Sequence, residues 1–325
     1  LKFGVAIELA ATNRLPGRTS EKPKGITIKD ILNLNELHWF NLQQNTPLLK
    51  ECIKEFQLCV LGKQFPYKAC PYPISASIYI ALYWKLKIEK PTWTKKRLDQ
   101  IFKAFFWHNA LSLGYETDSH RVPDDIKAIE SKLIELESAT DATWAKEVNQ
   151  WLDKHMEPIK KPAEIKIKLM EKAHGAMKNA LELPIRYLPD DDLCKPSQSV
   201  IFPLEDDIQM HHIFPRKWIQ SNSGNQTFFG TMAGKKDDIK ILQESLINKT
   251  PLTKVSNAKW SADSPSTAMH SFGPNTAQIK GSKVWTERFI KNQTYDSLKI
   301  DLCLTFLTQR AEEVEKWLTK QCKIN

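Results

Sequence analysis

Residues 204–218, LEDDIQMHHIFPRKW, place His211 and His212 side by side on a short apolar stretch that ends at Pro215 and then turns basic. The chain has only eight histidines, and two neutral imidazoles fill a core poorly, because each buried ring nitrogen needs a partner. The pair is therefore either a locally satisfied structural feature or a piece of a site. An imidazole with an ordinary pKa of about 6.5 accepts a proton near neutral pH, and its ring nitrogens also ligate divalent ions. Which chemistry the pair can do depends on the elements around it.

The stretch DIQMHHIF is too short and too β-branched for a helix and reads as a strand. A polar loop containing Gly224, Gly230 and Gly234 follows, then SLINKT (245–250) as the returning strand and TKVSNAKW (253–260) as a short helix capped by Thr253. Neighbours on a regular strand point to opposite faces. The two histidines share one centre only if the strand ends or bends at the pair, and Pro215, which lacks a ladder donor, favours such an ending.

This strand–strand–helix order resembles the ββα-metal, or HNH, nuclease motif. HHIFP (211–215) fits its first strand, Asn248 in INKTPL its second, and Asn257 in SNAKW, nine residues beyond Asn248, its helix. INKTPLTKVSNAKWSADSPS (247–266) is similar to the nuclease end of GmrSD-type modification-dependent restriction enzymes and the related SspE-like antiphage nucleases. FFWHNALSLGYETDSHRVPDDIKAI (105–129) and FLTQRAEEVEKWL (306–318) resemble helical parts of those proteins. The likeness is closest over residues 207–266 and loose elsewhere.

The resemblance implies a metal-dependent DNA endonuclease, the effector part of a restriction or phage-defence system. His212 would be the general base, Asn248 would position it by hydrogen bonding, and His211 and Asn257 would ligate the ion. The basic residues flanking the motif, Arg216, Lys217, Lys254 and Lys259, are candidate contacts to DNA phosphates. The nearer relatives carry Glu or Asp where this chain has His211, and a histidine there is similar to the colicin nucleases. That residue softens the ligand set, so Mn2+, Zn2+, Ni2+ or Co2+ suit it as well as Mg2+. A competing reading is a non-catalytic DNA-binding or regulatory module whose histidines and asparagines hold a structural metal.

The rest of the chain supplies the setting. Its 325 residues, 41% hydrophobic with ten tryptophans, are enough for two domains with packed cores. A formal charge of +9 points to an anionic partner, nucleic acid before a membrane surface. The six cysteines contain no C-x-x-C pair and read as reduced, buried thiols of a cytoplasmic protein. No apolar run approaches a bilayer span.

Helical spacing runs through residues 27–40, 46–62, 74–88, 94–114, 122–136, 143–156 and 162–183, with the segment 74–88 apolar on nearly every side. The fold expected is mainly α: a helical domain over 1–190, the nuclease module over 191–270, and a C-terminal helical region over 271–325 that packs on it. Leu304, Leu307, Ala311, Val314 and Leu318 form the apolar stripe of the last helix. His108 and His174 read as satisfied helical histidines, Cys52 and Cys59 as core, and the lysine and arginine runs at 95–97 and 160–161 as solvated faces. His38, His120, His155 and His270 have no recognisable partner in the sequence. Because the chain begins at Leu1 and lacks the D-G-Q-Q-R signature of the relatives' nucleotidase domain, an upstream sensor domain or partner protein is expected outside it.

Overall fold

A helix that is apolar on all sides must be enclosed by others, and the segment expected as such is enclosed. In the computed structural model, residues 76–84 of the helix Ala76–Ile88 are all buried. The structure describes residues 2–12, 31–117, 121–171, 173–199, 208–271 and 280–325. It divides into two compact units, Leu1–Ile159 with Lys320–Asn325, and Lys160–Thr319.

The first unit is helical: α1 (Lys2–Thr12), α2 (Glu36–Gln44), α3 (Thr46–Leu61), α4 (Ala76–Ile88), α5 (Lys95–Ser112), α6 (Val122–Glu135) and α7 (Asp141–His155). Helix α4 packs against α1, α3, α5 and α6. Phe56 of α3 meets Phe65, Tyr79, Phe102 and Phe106 at ring-centroid distances of 6.0 to 6.3 Å. Each ring so buried contributes about 2–3 kcal/mol by leaving water. Helix α5 was expected to stop at Gly114, and it ends at Ser112 with Leu113 in the left-handed region at φ 62°. Gly114 serves the stop differently: a Cβ there would collide with the Asn109 side chain.

The second unit contains α8 (Pro162–Met170), α9 (Gly175–Tyr187), β1 (Asp191–Asp192), β2 (Lys195–Ser199), β3 (Ile208–His212), α10 (Arg216–Asn222), α11 (Lys236–Glu244), β4 (Lys249–Thr253), α12 (Lys254–Trp260), α13 (Pro265–Ser271), α14 (Asn292–Lys299) and α15 (Cys303–Gln321). The compact units meet thirty residues before the domain border expected near 190. Helix α9 packs on β4, burying Met177, Ala180, Leu181, Leu183 and Ile185, so α8 and α9 belong with the strands. The described part of the Pro- and Asp-rich stretch after Tyr187 forms the antiparallel β1–β2 pair within this unit, and its residues 200–207 lie outside the described residues. The interval expected as a polar loop holds α10 and α11. The latter opens on Asp237 and Asp238, which suit a helix N-terminus, and buries Ile239 and Leu242.

Strands β3 and β4 pair antiparallel, with His211 opposite Thr250 and His212 opposite Lys249. The bond from Ile213 N to Asn248 O, 2.7 Å, continues the ladder and sets its phase. In that phase His212/Lys249 and Met210/Pro251 are non-hydrogen-bonded pairs, whose backbone groups turn outward. Pro251 therefore costs the ladder nothing. The outward carbonyls of β4 are taken by two fully buried arginines. Arg310 donates from Nη1 to Lys249 O at 2.8 Å and also to Ile247 O. Arg288 donates to Pro251 O at 3.4 Å and to Thr250 Oγ1 at 3.0 Å. Arg310 thus sits within the apolar stripe of α15, beside buried Phe306, Leu307, Ala311, Val314 and Leu318, whereas Leu304 is only half-buried. No helix among the described residues is long and apolar enough to cross a membrane.

Candidate functional site

Helix α12 starts where the sequence places it. The Thr253 side chain caps it by accepting from Ser256 N at 3.3 Å, and buried Asp192 holds the same turn by accepting from Thr253 N at 3.2 Å. The helix packs on both β3 and β4, which brings Asn257 and Trp260 over one sheet face. His211 lies on that face, its Nδ1 2.5 Å from Asn257 Oδ1 and its ring 4.8 Å from that of Trp260. Asn257 Nδ2 donates in turn to Gln209 Oε1. With both ends of the amide engaged, Asn257 orients the His211 ring. The ring proton then rests on Nδ1, and the lone pair on Nε2, a buried atom with no hydrogen-bond partner among the described residues. Burial pushes the His211 pKa down, against the hydrogen bond to Asn257 and helped by neighbouring His212, to about 4.

Strand β3 ends at His212, the second residue of the pair. At that strand end His211 meets Asn257 and Trp260, and His212 is turned toward Glu244. His212 shares its face with Lys249, and its Nε2 lies 3.5 Å from Glu244 Oε2 at the end of α11. Burial is the largest influence on His212 and lowers its pKa. Glu244 opposes that shift, while Lys249 and Arg216 add to it. Glu244 is itself raised by burial, but hydrogen bonds from Arg216 and Gln243 and the nearby cations outweigh this and hold it at about 2. Lys249 is half-buried, lowered by that burial, and makes no ion pair among the described residues.

Asn248, fully buried, makes no hydrogen bond to the His212 ring among the described residues. Its Oδ1 accepts from Phe214 N at 2.9 Å, and its Nδ2 donates to Phe214 O at 3.1 Å and Gln243 O at 3.0 Å. It thereby fixes the chain just beyond His212. Among the residues expected to contact phosphate, Lys217, Lys254 and Lys259 are exposed. Arg216 is engaged: its Nη2 and Nε each lie 2.7 Å from one oxygen of Glu244.

The remaining histidines stand apart. His38 Nε2 lies 3.0 Å from Gly4 O, and His155 Nε2 lies 2.9 Å from buried Asp125. His108 is buried in α5, with its Nδ1 making no hydrogen bond among the described residues. His174 precedes α9 as its N-cap residue, and His270 lies in the last turn of α13; His120 lies outside the described residues.

Among the described residues no three His, Cys, Asp or Glu side chains gather as a metal site. What the face with α12 offers a divalent ion is the orphaned Nε2 of His211, held by Asn257 in the manner of an oriented metal ligand. Such a neutral nitrogen donor fits an ion whose other ligands are water and phosphate oxygens. Glu244, Lys249 and Gln209 escaped sequence reasoning. Lys249 was signalled only by its place directly after Asn248, and Glu244 approaches through a turn of the chain that no local pattern announces. Comparison with models of protein families, with characterised proteins and with solved structures found no match.

Proposed function

We propose that this chain is a metal-dependent DNA endonuclease of the ββα-metal class, acting as the effector part of a restriction or phage-defence system. The observation that carries the reading is the antiparallel β3–β4 pair followed by α12, with His211 against Asn257 and His212 at the same strand end locked by Asn248.

His212 is held neutral around pH 7 because burial disfavours its cation. It takes the proton of a water whose oxygen attacks phosphorus. The bond from phosphorus to the 3′-oxygen breaks, and the departing oxygen is protonated from solvent. A divalent ion at His211 would neutralise charge on the phosphate and on that oxygen. Asn257 keeps the His211 ring turned, and Asn248 keeps the backbone after His212 from shifting. Lys249 beside His212, with exposed Lys217, Lys254 and Lys259, supplies positive charge for the DNA backbone.

The test is plasmid cleavage by the purified chain with Mg2+, Mn2+, Co2+, Ni2+ and Zn2+ in turn, beside His212→Ala. Cleavage that needs a divalent ion and disappears in the variant is the expected result. A chain that cuts with none of these ions and unfolds on chelation would instead be a non-catalytic module built around a structural metal.

A further inference from the structure

The nitrogen of His212 nearest an acid is buried and makes no hydrogen bond among the described residues: Nε2, 3.5 Å from Glu244 Oε2. The side chain keeps 18% of its surface exposed while Nε2 is buried, which leaves Nδ1 as the nitrogen to face water and phosphate. Glu244 is built to stay charged and in place. Both carboxylate oxygens meet the Arg216 guanidinium at 2.7 Å, and Gln243 Nε2 donates to Oε1 at 2.9 Å. A bidentate arginine gives a carboxylate fixed orientation as well as charge. It lies toward the one ring nitrogen that substrate cannot reach.

We infer that Glu244 is the positioning residue of His212: it accepts the hydrogen bond from Nε2–H and so leaves Nδ1 as the nitrogen that receives the proton of water. This inference rests on the reading of His212 as the base. When Nδ1 takes that proton the ring becomes a cation carrying N–H on both sides. Its bond to the carboxylate then strengthens, so Glu244 stabilises the transition state more than the resting enzyme. The separation of 3.5 Å is longer than a formed charge-assisted bond of about 2.8 Å, and a small rotation of either side chain closes it. Arg216, expected from the sequence to hold phosphate, acts here as the tether of Glu244.

The test uses the full chain labelled with 15N-histidine, with His212→Asn to assign the ring signals. The expected result is a downfield, slowly exchanging ring proton on His212 Nε2 that disappears in Glu244→Ala. In cleavage, the isosteric Glu244→Gln should lower kcat about 10- to 100-fold with KM for DNA nearly unchanged, and Glu244→Asp should recover part of the loss. A His212 proton on Nδ1, a ring signal unchanged in Glu244→Ala, or full kcat in Glu244→Gln while His212→Ala is dead would each overturn the inference and leave the nuclease reading standing. Full cleavage by His212→Ala would instead overturn that reading, and with it the role given to Glu244.

Discussion

Asn248 and Phe214 hold each other through two opposed hydrogen bonds, Phe214 N to Asn248 Oδ1 at 2.9 Å and Asn248 Nδ2 to Phe214 O at 3.1 Å. A third, to Gln243 O at 3.0 Å, ties the end of α11 to the same amide. Asn248→Ala strands all three backbone groups inside the unit and should cost about 2–4 kcal/mol of stability. Asn248→Asp keeps the acceptor, loses both donations and buries a charge, so it should be no better. Denaturant unfolding decides this, with activity measured where the variants remain folded; an alanine variant as stable as the parent would remove Asn248 from the account.

His212→Ala should abolish cleavage while leaving DNA affinity nearly intact, because a base acts in the transition state and adds little to binding. In the parent, activity should fall as pH drops through a His212 pKa lying below its ordinary value. Lys249 is one cause of that depression, so Lys249→Met should move the acid limb of the pH–rate profile toward higher pH. A limb that stays put would place Lys249 too far from His212 to matter.

His211 gives a separate signature in stability. Its folded pKa of about 4 lies below the unfolded value of 6.5, so the unfolded chain binds the extra proton first. The contribution of neutral His211 is complete above pH 6.5 and is lost as pH falls toward 4. The loss is on the order of 3 kcal/mol. Comparing the parent with His211→Gln over this range cancels the carboxylates common to both. Parallel stability curves would contradict the depressed pKa.

His211→Ala and Asn257→Ala should both raise the metal concentration needed for half-maximal cleavage. Asn257→Asp should retain more activity than Asn257→Ala, since a carboxylate still accepts from the His211 ring and adds negative charge near the ion. Unchanged metal dependence in both alanine variants would mean that the ion binds elsewhere.

DNA binding by this chain should be electrostatic and should weaken steeply with salt. Neutralising Lys217, Lys254 and Lys259 together should shallow the slope of log affinity against log salt by up to about 3. Plain and modified duplexes should bind alike, because phosphate contacts carry no base information, and cleavage should need neither ATP nor GTP. A strong preference for one modification would locate base sensing within these 325 residues.

Much of the helical framework was legible because apolar spacing reports burial directly. Residues 74–88 read as an enclosed helix, and residues 76–84 are buried. Thr253 as a cap and the strand–strand–helix order around the histidines were legible from side-chain chemistry and β-branching. The returning strand was read early: residues 246–248 form a helical turn, and pairing starts at Lys249. What escaped depends on contacts distant in the chain. Glu244 lies 3.5 Å from His212 only because α11 folds back, and Arg310 sits in an apolar stripe because the carbonyls it serves belong to β4. The Asp-rich stretch after Tyr187 read as a domain border because composition registers polarity, not that Asp192 is buried and bonded to Thr253.

The two buried guanidinia on β4 also bear on how the molecule behaves in a crowd. A bare strand edge offers other chains a row of unmet carbonyls and amides to dock on. Here the outward carbonyls of Lys249 and Pro251 are already occupied by Arg310 and Arg288, and Pro251 has no amide proton to lend. The β4 edge of the two-stranded sheet is thereby closed to recruitment into intermolecular sheet, so a chain stripped of Arg310 should clump as well as unfold.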